Sequence, residues 1–349
     1  MDQIASPNGA EPLVRVNDLT KHYGVGSLFA PRVLKAVDGV SFDIARGETL
    51  GLVGESGCGK STVARCLVRL VPATSGTIHF DEIPVHDLGR PAVQRLRRRM
   101  QIVFQDPRAS LNPRMLIRST LSEPLRLHLK LSGKKLEERL RDLVNQVGLE
   151  TTHLDRYPHQ LSGGQCQRVG IARAIATNPD FVVLDEPTSS LDVSVQNQIL
   201  LLLQKLQEDL HLSYLFISHN LGVIKHVCRR MAVMYLGRIV EIGSTAEIFS
   251  NPSHPYTRAL LSTVPSATFG VKRERVRLPG EVPSPISIPR GCRLAPRCPL
   301  AQETCTRLDP EMLPLGGTHH VACFAATGWP ATASGLSDKK HNAGQPRTD

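Results

Sequence analysis

Three glycines frame a lysine and a serine in the stretch Gly54, Glu55, Ser56, Gly57, Cys58, Gly59, Lys60, Ser61, Thr62. Glycines let successive backbone N–H groups curl around an anion, and a helix that starts at the lysine adds its positive end. With the apolar run ThrLeuGlyLeuVal before it, at 49–53, the spacing predicts a loop that cradles nucleotide phosphates. Lys60 would reach the β and γ phosphates, and the Ser61 hydroxyl would ligate Mg²⁺. A second apolar run, at 181–184, ends in Asp185 and Glu186. Asp185 would hold Mg²⁺ through its water shell, and Glu186 is placed to polarise an attacking water. Gln105 closes the run IleValPhe and could ligate Mg²⁺ and sense the γ phosphate. His219 follows TyrLeuPheIleSer at 214–218 and could hydrogen-bond that phosphate.

LeuSerGlyGlyGln, at 161–165, heads another helical run. Ser162 is a natural N-cap, and Gly163 and Gly164 leave their N–H groups open to an anion, with Gln165 beside them. One nucleotide needs one cradle. A second anion-binding helix end therefore predicts closure on a nucleotide held by another subunit, two domains clamping two ATP molecules between them.

Something must hold these residues at one place. Residues 13–250 alternate short β-rich runs with helical periodicities, the pattern of an α/β domain with a parallel core sheet, whose strand ends carry the ligand. An inserted helical subdomain is predicted over about 106–170, with a break at LeuSerGly, 131–133. Thirteen of the 25 prolines fall after residue 250, so 251–330 is expected to be a small loop-rich appendage. Residues 1–12 are expected to be a flexible N-terminus and 331–349 a disordered tail. No run approaches the roughly 18 apolar residues of a membrane span, and the first residues lack the basic and apolar regions of a secretory signal, which predicts a cytoplasmic location. The net charge of +10 permits an anionic partner, but ArgLeuArgArgArg at 95–99 reads as a solvated helix face rather than a nucleic-acid patch.

In this order, the phosphate loop, Gln105, LeuSerGlyGlyGln, Asp185–Glu186, SerSerLeuAsp at 189–192 and His219 resemble the ATP-binding subunits of ABC transporters, over residues 13–250. The resemblance implies a P-loop NTPase fold with an added antiparallel β subdomain. It implies that Tyr23 stacks on adenine, that Asp192 communicates across a dimer, and that Ser162 to Gln165 clamp the opposite nucleotide. AspGlyValSerPhe at 38–42, the segment 103–115 and AsnProSerHisProTyrThrArgAlaLeuLeu at 251–261 are similar to the ATPases of dipeptide and oligopeptide importers. GlyGluSerGlyCysGlyLysSer resembles the second of their two paired subunits. The implied partners are a related ATPase in a heterodimer, two transmembrane permease subunits docking beside Gln105 at Asp106 to Met115, and an extracytoplasmic solute-binding protein. No nucleic acid partner is expected, and the implied location is the cytoplasmic face of the inner membrane. Closely similar subunits serve nickel and glutathione importers, and soluble ABC ATPases that act on ribosomes or nucleic acid, or in Fe–S assembly, share the same motifs. Cys166 stands where the family usually has Arg, removing a charge near the expected dimer interface, and Gly170 stands where a helix often has Ala.

Cys292, Cys298, Cys305 and Cys323 lie in the Pro-rich segment and could together bind Zn²⁺ or an iron–sulfur cluster. The resemblance favours the cluster, since some members carry a [4Fe–4S] cluster on a similar arrangement. Its role is expected to be structural or regulatory, because nothing in the sequence places it near the hydrolysis site.

Overall fold

A computed structural model describes residues 11–27, 30–264 and 276–329. Most of the expected flexible N-terminus and all of the expected disordered tail lie outside the described residues. Two sheets organise the chain. The smaller is antiparallel, in the order β2 (Ala30–Ile44), β1 (Val14–Ser27), β4 (Ser75–Phe80), β5 (Ile83–Pro84). The larger has eight strands, in the order β11 (Leu313–Gly316), β12 (His319–Val321), β10 (Arg238–Ser244), β9 (Arg230–Tyr235), β3 (Thr49–Val53), β8 (Ser213–Ser218), β7 (Phe181–Asp185), β6 (Met100–Val103).

The expectation of a parallel core sheet holds for β9, β3, β8, β7 and β6. It is corrected at the other end, where β10, β12 and β11 pair antiparallel. Every residue of β3, β7, β8 and β9 is buried. Continuous apolar strands are what a sheet covered on both faces requires. One face carries the antiparallel sheet with α1 (Lys60–Leu67) and α2 (Arg90–Arg99). The other carries α3 (Ile117–Leu129), α4 (Gly133–Gln146), α5 (Gly163–Ile175), α6 (Val193–Leu210) and α7 (Leu221–Val227). The α3–α4 break falls at 130–132, close to the predicted one. In α2 only Leu96 is buried, and Arg99 pairs with Asp81 and Asp180, so the arginine cluster is largely a solvated face.

The C-terminal region also departs from expectation. After α8 (Thr245–Ser250) and α9 (Pro255–Ser262) come α10 (Glu303–Arg307), β11, β12 and α11 (Phe324–Thr327). The segment is loop-rich, yet β12 joins the central sheet through β10. Glu241 of β10, fully buried, fastens it: its carboxylate accepts from His319 Nε2 at 2.7 Å and from the backbone N–H groups of Ser253 and His254 at 2.8 and 3.0 Å. Burial pushes this carboxyl up, but hydrogen bonds from His319, Thr257 and those N–H groups outweigh it and bring it below the usual range.

Candidate active site

Four neighbouring parallel strands deliver the predicted residues to one edge of the sheet. Following β3, β8, β7 and β6 lie the phosphate loop, His219, Glu186 and the Phe104–Gln105 segment. Such strand ends are where open α/β sheets bind ligands.

The loop's shape depends on absent side chains. At Gly59, φ is 112° and a Cβ would lie 2.1 Å from the Ala36 carbonyl oxygen. At Gly54 a Cβ would lie 2.2 Å from that of Met234. Lys60, only 5% exposed, donates from Nζ to the carbonyl oxygens of Gly54 and Glu55 at 2.8 and 2.9 Å, which anchors its charge inside the curl. Ser61 Oγ donates to Asp185 Oδ1 at 3.0 Å, joining two predicted Mg²⁺ ligands. Burial holds the Asp185 carboxyl above the usual range, and Glu186 adds to the rise against the Ser61 hydrogen bond. Hard oxygen donors beside a buried carboxyl that lacks a strong cationic partner fit Mg²⁺, whose charge would reverse that penalty.

Glu186 is bracketed. Its Oε2 accepts from Gln105 Nε2 at 2.9 Å, and its Oε1 lies 3.2 Å from His219 Nδ1. Its backbone is left-handed, with φ 49°, while its N–H donates to the Ile217 carbonyl at 3.0 Å. A non-glycine residue held there stores strain, and such strain gathers at functional sites.

The second glycine pair stands apart from this cluster. Ser162 caps α5 reciprocally: Gln165 N–H donates to Ser162 Oγ at 3.2 Å, and Ser162 N–H donates to Gln165 Oε1 at 2.9 Å. Gln165 also meets His153 Nε2 at 3.1 Å. Among the described residues, no hydrogen bond joins 161–165 to 54–61. A Cβ at Gly164 would lie 2.6 Å from Val195 Cγ1, so the motif packs on the start of α6. Asp192, exposed, precedes that helix without capping it through its side chain. Tyr23 is half-buried in β1, and Lys21 Nζ sits 4.9 Å from its ring centroid. Cys166 requires a correction: it is fully buried and its thiol donates to the Pro158 carbonyl at 3.4 Å, so this is no surface charge position.

Four residues that the sequence reading missed tie the parts together. Arg108 donates to the Leu161 carbonyl at 3.3 Å and Arg173 of α5 donates to that of Ser110 at 2.7 Å, which links the Gln105 loop to the LeuSerGlyGlyGln helix. Behind the phosphate loop, the Glu55 N–H donates to the Tyr256 hydroxyl at 2.9 Å, and Arg297 Nη1 lies 3.7 Å from Glu55 Oε2. The C-terminal region thus touches the phosphate loop, contrary to expectation. Tyr256 lies in the importer-like segment 251–261, but nothing in its spacing signals a contact 201 positions away.

The four late cysteines line one cleft together with His254, Leu294, Phe324 and Trp329, and all are free thiols. Burial raises the Cys292 thiol to about 12 and also raises those of Cys298 and Cys323. Among the described residues, no group of three or more His, Cys, Asp or Glu side chains is placed to hold a metal ion, so neither the expected iron–sulfur cluster nor its Zn²⁺ alternative finds support in the side-chain positions. No helix among them is long and apolar enough to cross a membrane.

Residues 37–189 match the ABC transporter family, and residues 240–305 match the oligopeptide/dipeptide transporter C-terminal region. The chain is 49% identical over 320 residues to the dipeptide transport ATP-binding protein DppF of Escherichia coli strain K12, covering 90% of this chain and 95% of that protein. It is 46% identical over 319 residues to the oligopeptide transport ATP-binding protein AppF of Bacillus subtilis strain 168, covering 90% and 97%. The dimeric post-hydrolysis structure of the ATP-binding cassette MJ0796, bound to ADP and Pi, superposes with a TM-score of 0.61 at 30% identity, covering 66% of this chain and 98% of that one. For cbiO1 of Clostridium perfringens, part of the ABC transporter complex cbiONQ, the values are 0.61, 29%, 69% and 92%. With its phosphate loop, its bracketed Glu186 and relatives matched over nearly their whole length, the chain belongs to the ABC transporter ATPases, in the oligopeptide and dipeptide transport branch.

Proposed function

We propose that the chain hydrolyses ATP to power import of di- and oligopeptides through separate membrane subunits. The observation that carries the chemistry is Glu186 held between Gln105 and His219 beside the phosphate loop. Lys60 and the loop N–H groups bind the phosphates, Ser61, Asp185 and Gln105 would hold Mg²⁺, and Glu186 orients and deprotonates water while His219 fixes the carboxylate. Mg²⁺, when bound, would supply neutralisation of the phosphates' negative charge. Tyr23 offers an aromatic face to the adenine. Ser162, Gly163, Gly164 and Gln165 serve a nucleotide held by the partner, with Asp192 at the same interface. The cargo reading rests on the relatives' names and on the match at 240–305.

On this reading residues 13–250 are the ATPase cassette and 251–330 the C-terminal region, and the chain sits peripherally on the cytoplasmic face of the membrane. Its partners are a second, related ATPase, two permease subunits and a solute-binding protein. The reading of the four cysteines as the seat of a [4Fe–4S] cluster rests on their sharing one cleft and on the resemblance. Backbone N–H groups of Leu294, Leu300 and Ala325 favour the thiolates of Cys292, Cys298 and Cys323. Anaerobic reconstitution with iron and sulfide tests this: iron retained by the native chain and lost in Cys323→Ser supports the cluster, and iron retained by neither removes it.

The function is tested by isolating the tagged chain from detergent-solubilised membranes and assaying the complex for ATP turnover. Two membrane-spanning subunits, a second ATPase and turnover stimulated by a peptide-loaded binding protein are expected. Stimulation by nickel or glutathione instead would replace the cargo. Ribosomes or nucleic acid without a membrane subunit would overturn the transport reading.

A further inference from the structure

The two contacts behind the phosphate loop begin beside the cysteine cleft. His254 and Pro255 line that cleft, and the next residue is Tyr256, whose hydroxyl accepts the Glu55 N–H. Ala295 and Cys298 line it too, and between them stands Arg297. Both residues are built into the interior rather than draped over it. Tyr256 is fully buried and packs against Tyr235, with ring centroids 4.6 Å apart. Arg297 is 8% exposed, donates from Nε to the Pro279 carbonyl at 3.2 Å, and approaches the Tyr235 hydroxyl at 3.5 Å. Glu55 Oε2 is buried and has no hydrogen bond, so Arg297 is the nearest charge that offsets it. A loop whose N–H groups must converge on an anion is sensitive to where its first turn is held.

We infer that Tyr256 and Arg297 are positioning residues of the phosphate loop, through which the cysteine cleft and the nucleotide site act on each other. The inference rests on 54–61 being the nucleotide site. Neither side chain touches the reacting atoms. Each holds Glu55 and adjoins in the chain a residue that lines the cleft, Pro255 or Cys298, so a change at the cysteines displaces the loop, and nucleotide binding changes the cleft. Coupling of this kind is reciprocal.

The experiment uses the full chain and two readouts. One is Mg·ATP affinity by calorimetric titration, and the other is the iodoacetamide alkylation rate of Cys292 and Cys298, read by peptide mass spectrometry with and without Mg·ATP. Tyr256→Phe keeps the buried ring and removes the acceptor, and is expected to weaken ATP binding by roughly three- to tenfold. In the native chain ATP is expected to change the alkylation rate by roughly fivefold, a response lost in Tyr256→Phe and Arg297→Met and partly restored in Arg297→Lys. A merely structural role would not move that nucleotide response. Native alkylation indifferent to ATP, or Tyr256→Phe binding ATP as tightly as the native chain, overturns the inference. Lys60→Ala separates the two levels: if it loses ATP while Tyr256→Phe does not, only the coupling fails, and if it binds undiminished, the nucleotide-site reading fails with it.

Discussion

The glycine-bearing ends of α1 and α5 differ in what surrounds them. At the head of α1 the neighbouring strands bring Asp185, Glu186, Gln105 and His219 together beside the phosphate loop, the groups that the proposed hydrolysis uses. At the head of α5, Ser162 and Gln165 satisfy each other, His153 holds Gln165, and no catalytic carboxylate is hydrogen-bonded there. On the function proposed above, the first end is a site and the second is half of one. Arg108 and Arg173 tie the second half to the loop at 105–110, so a force applied at that loop reaches the α5 end without passing through the phosphate loop.

The comparison breaks most visibly at Glu186. Glu186→Gln is expected to keep ATP affinity and lower turnover by roughly a hundredfold or more, the contribution of a general base; turnover near native in a steady-state assay would remove Glu186 from that role. Gly164→Ala forces a Cβ against Val195 and sharpens the contrast: turnover is expected to fall on the order of a hundredfold, with ATP affinity of the isolated chain unchanged in a binding titration. Lys60→Ala at the other end is expected to do the reverse, weakening ATP binding by roughly ten- to a hundredfold through lost charge-assisted hydrogen bonds.

Acid should loosen the support behind the phosphate loop. Burial brings the His254 ring down to about 4 from 6.5, and its Nδ1 accepts the Tyr256 N–H at 3.2 Å. The folded value lies below the unfolded one, so stability is full above pH 6.5 and declines as pH falls towards 4, by up to about 3 kcal/mol. Melting midpoints measured across that window should fall in the native chain and fall less in His254→Gln; a flat native profile would contradict this. The smallest expected effect is a gain. At Gly170, in mid-helix, a Cβ would meet nothing within 4 Å, so Gly170→Ala should stabilise by about 1 kcal/mol, as a denaturant melt would show.

Much of the first site was legible because its strands are buried on both faces. PheValValLeuAsp and TyrLeuPheIleSer announce themselves as continuous apolar runs, and the polar residues that end them form the candidate site. The LeuSerGlyGlyGln helix was equally readable from its cap and glycines. Residues in the C-terminal region were not. HisHisVal at 319–321 is too short and too polar to read as a strand, and it pairs because the buried Glu241 accepts from His319. Tyr256 and Arg297 reach Glu55 only through tertiary packing, which leaves no periodic mark in the chain. Cys166 misled for a related reason: a residue's neighbours within a motif do not reveal which way its side chain points.

On the proposed function, this chain supplies one hydrolytic half and one half waiting for a partner. The most direct test is the mass in solution of Glu186→Gln, alone and mixed with the ATPase that co-purifies with the native chain, measured by light scattering with and without Mg·ATP. A paired species that forms only with Mg·ATP, and that Gly164→Ala abolishes, is the predicted result. ATPase chains that stay unpaired at saturating Mg·ATP in both samples would contradict the account.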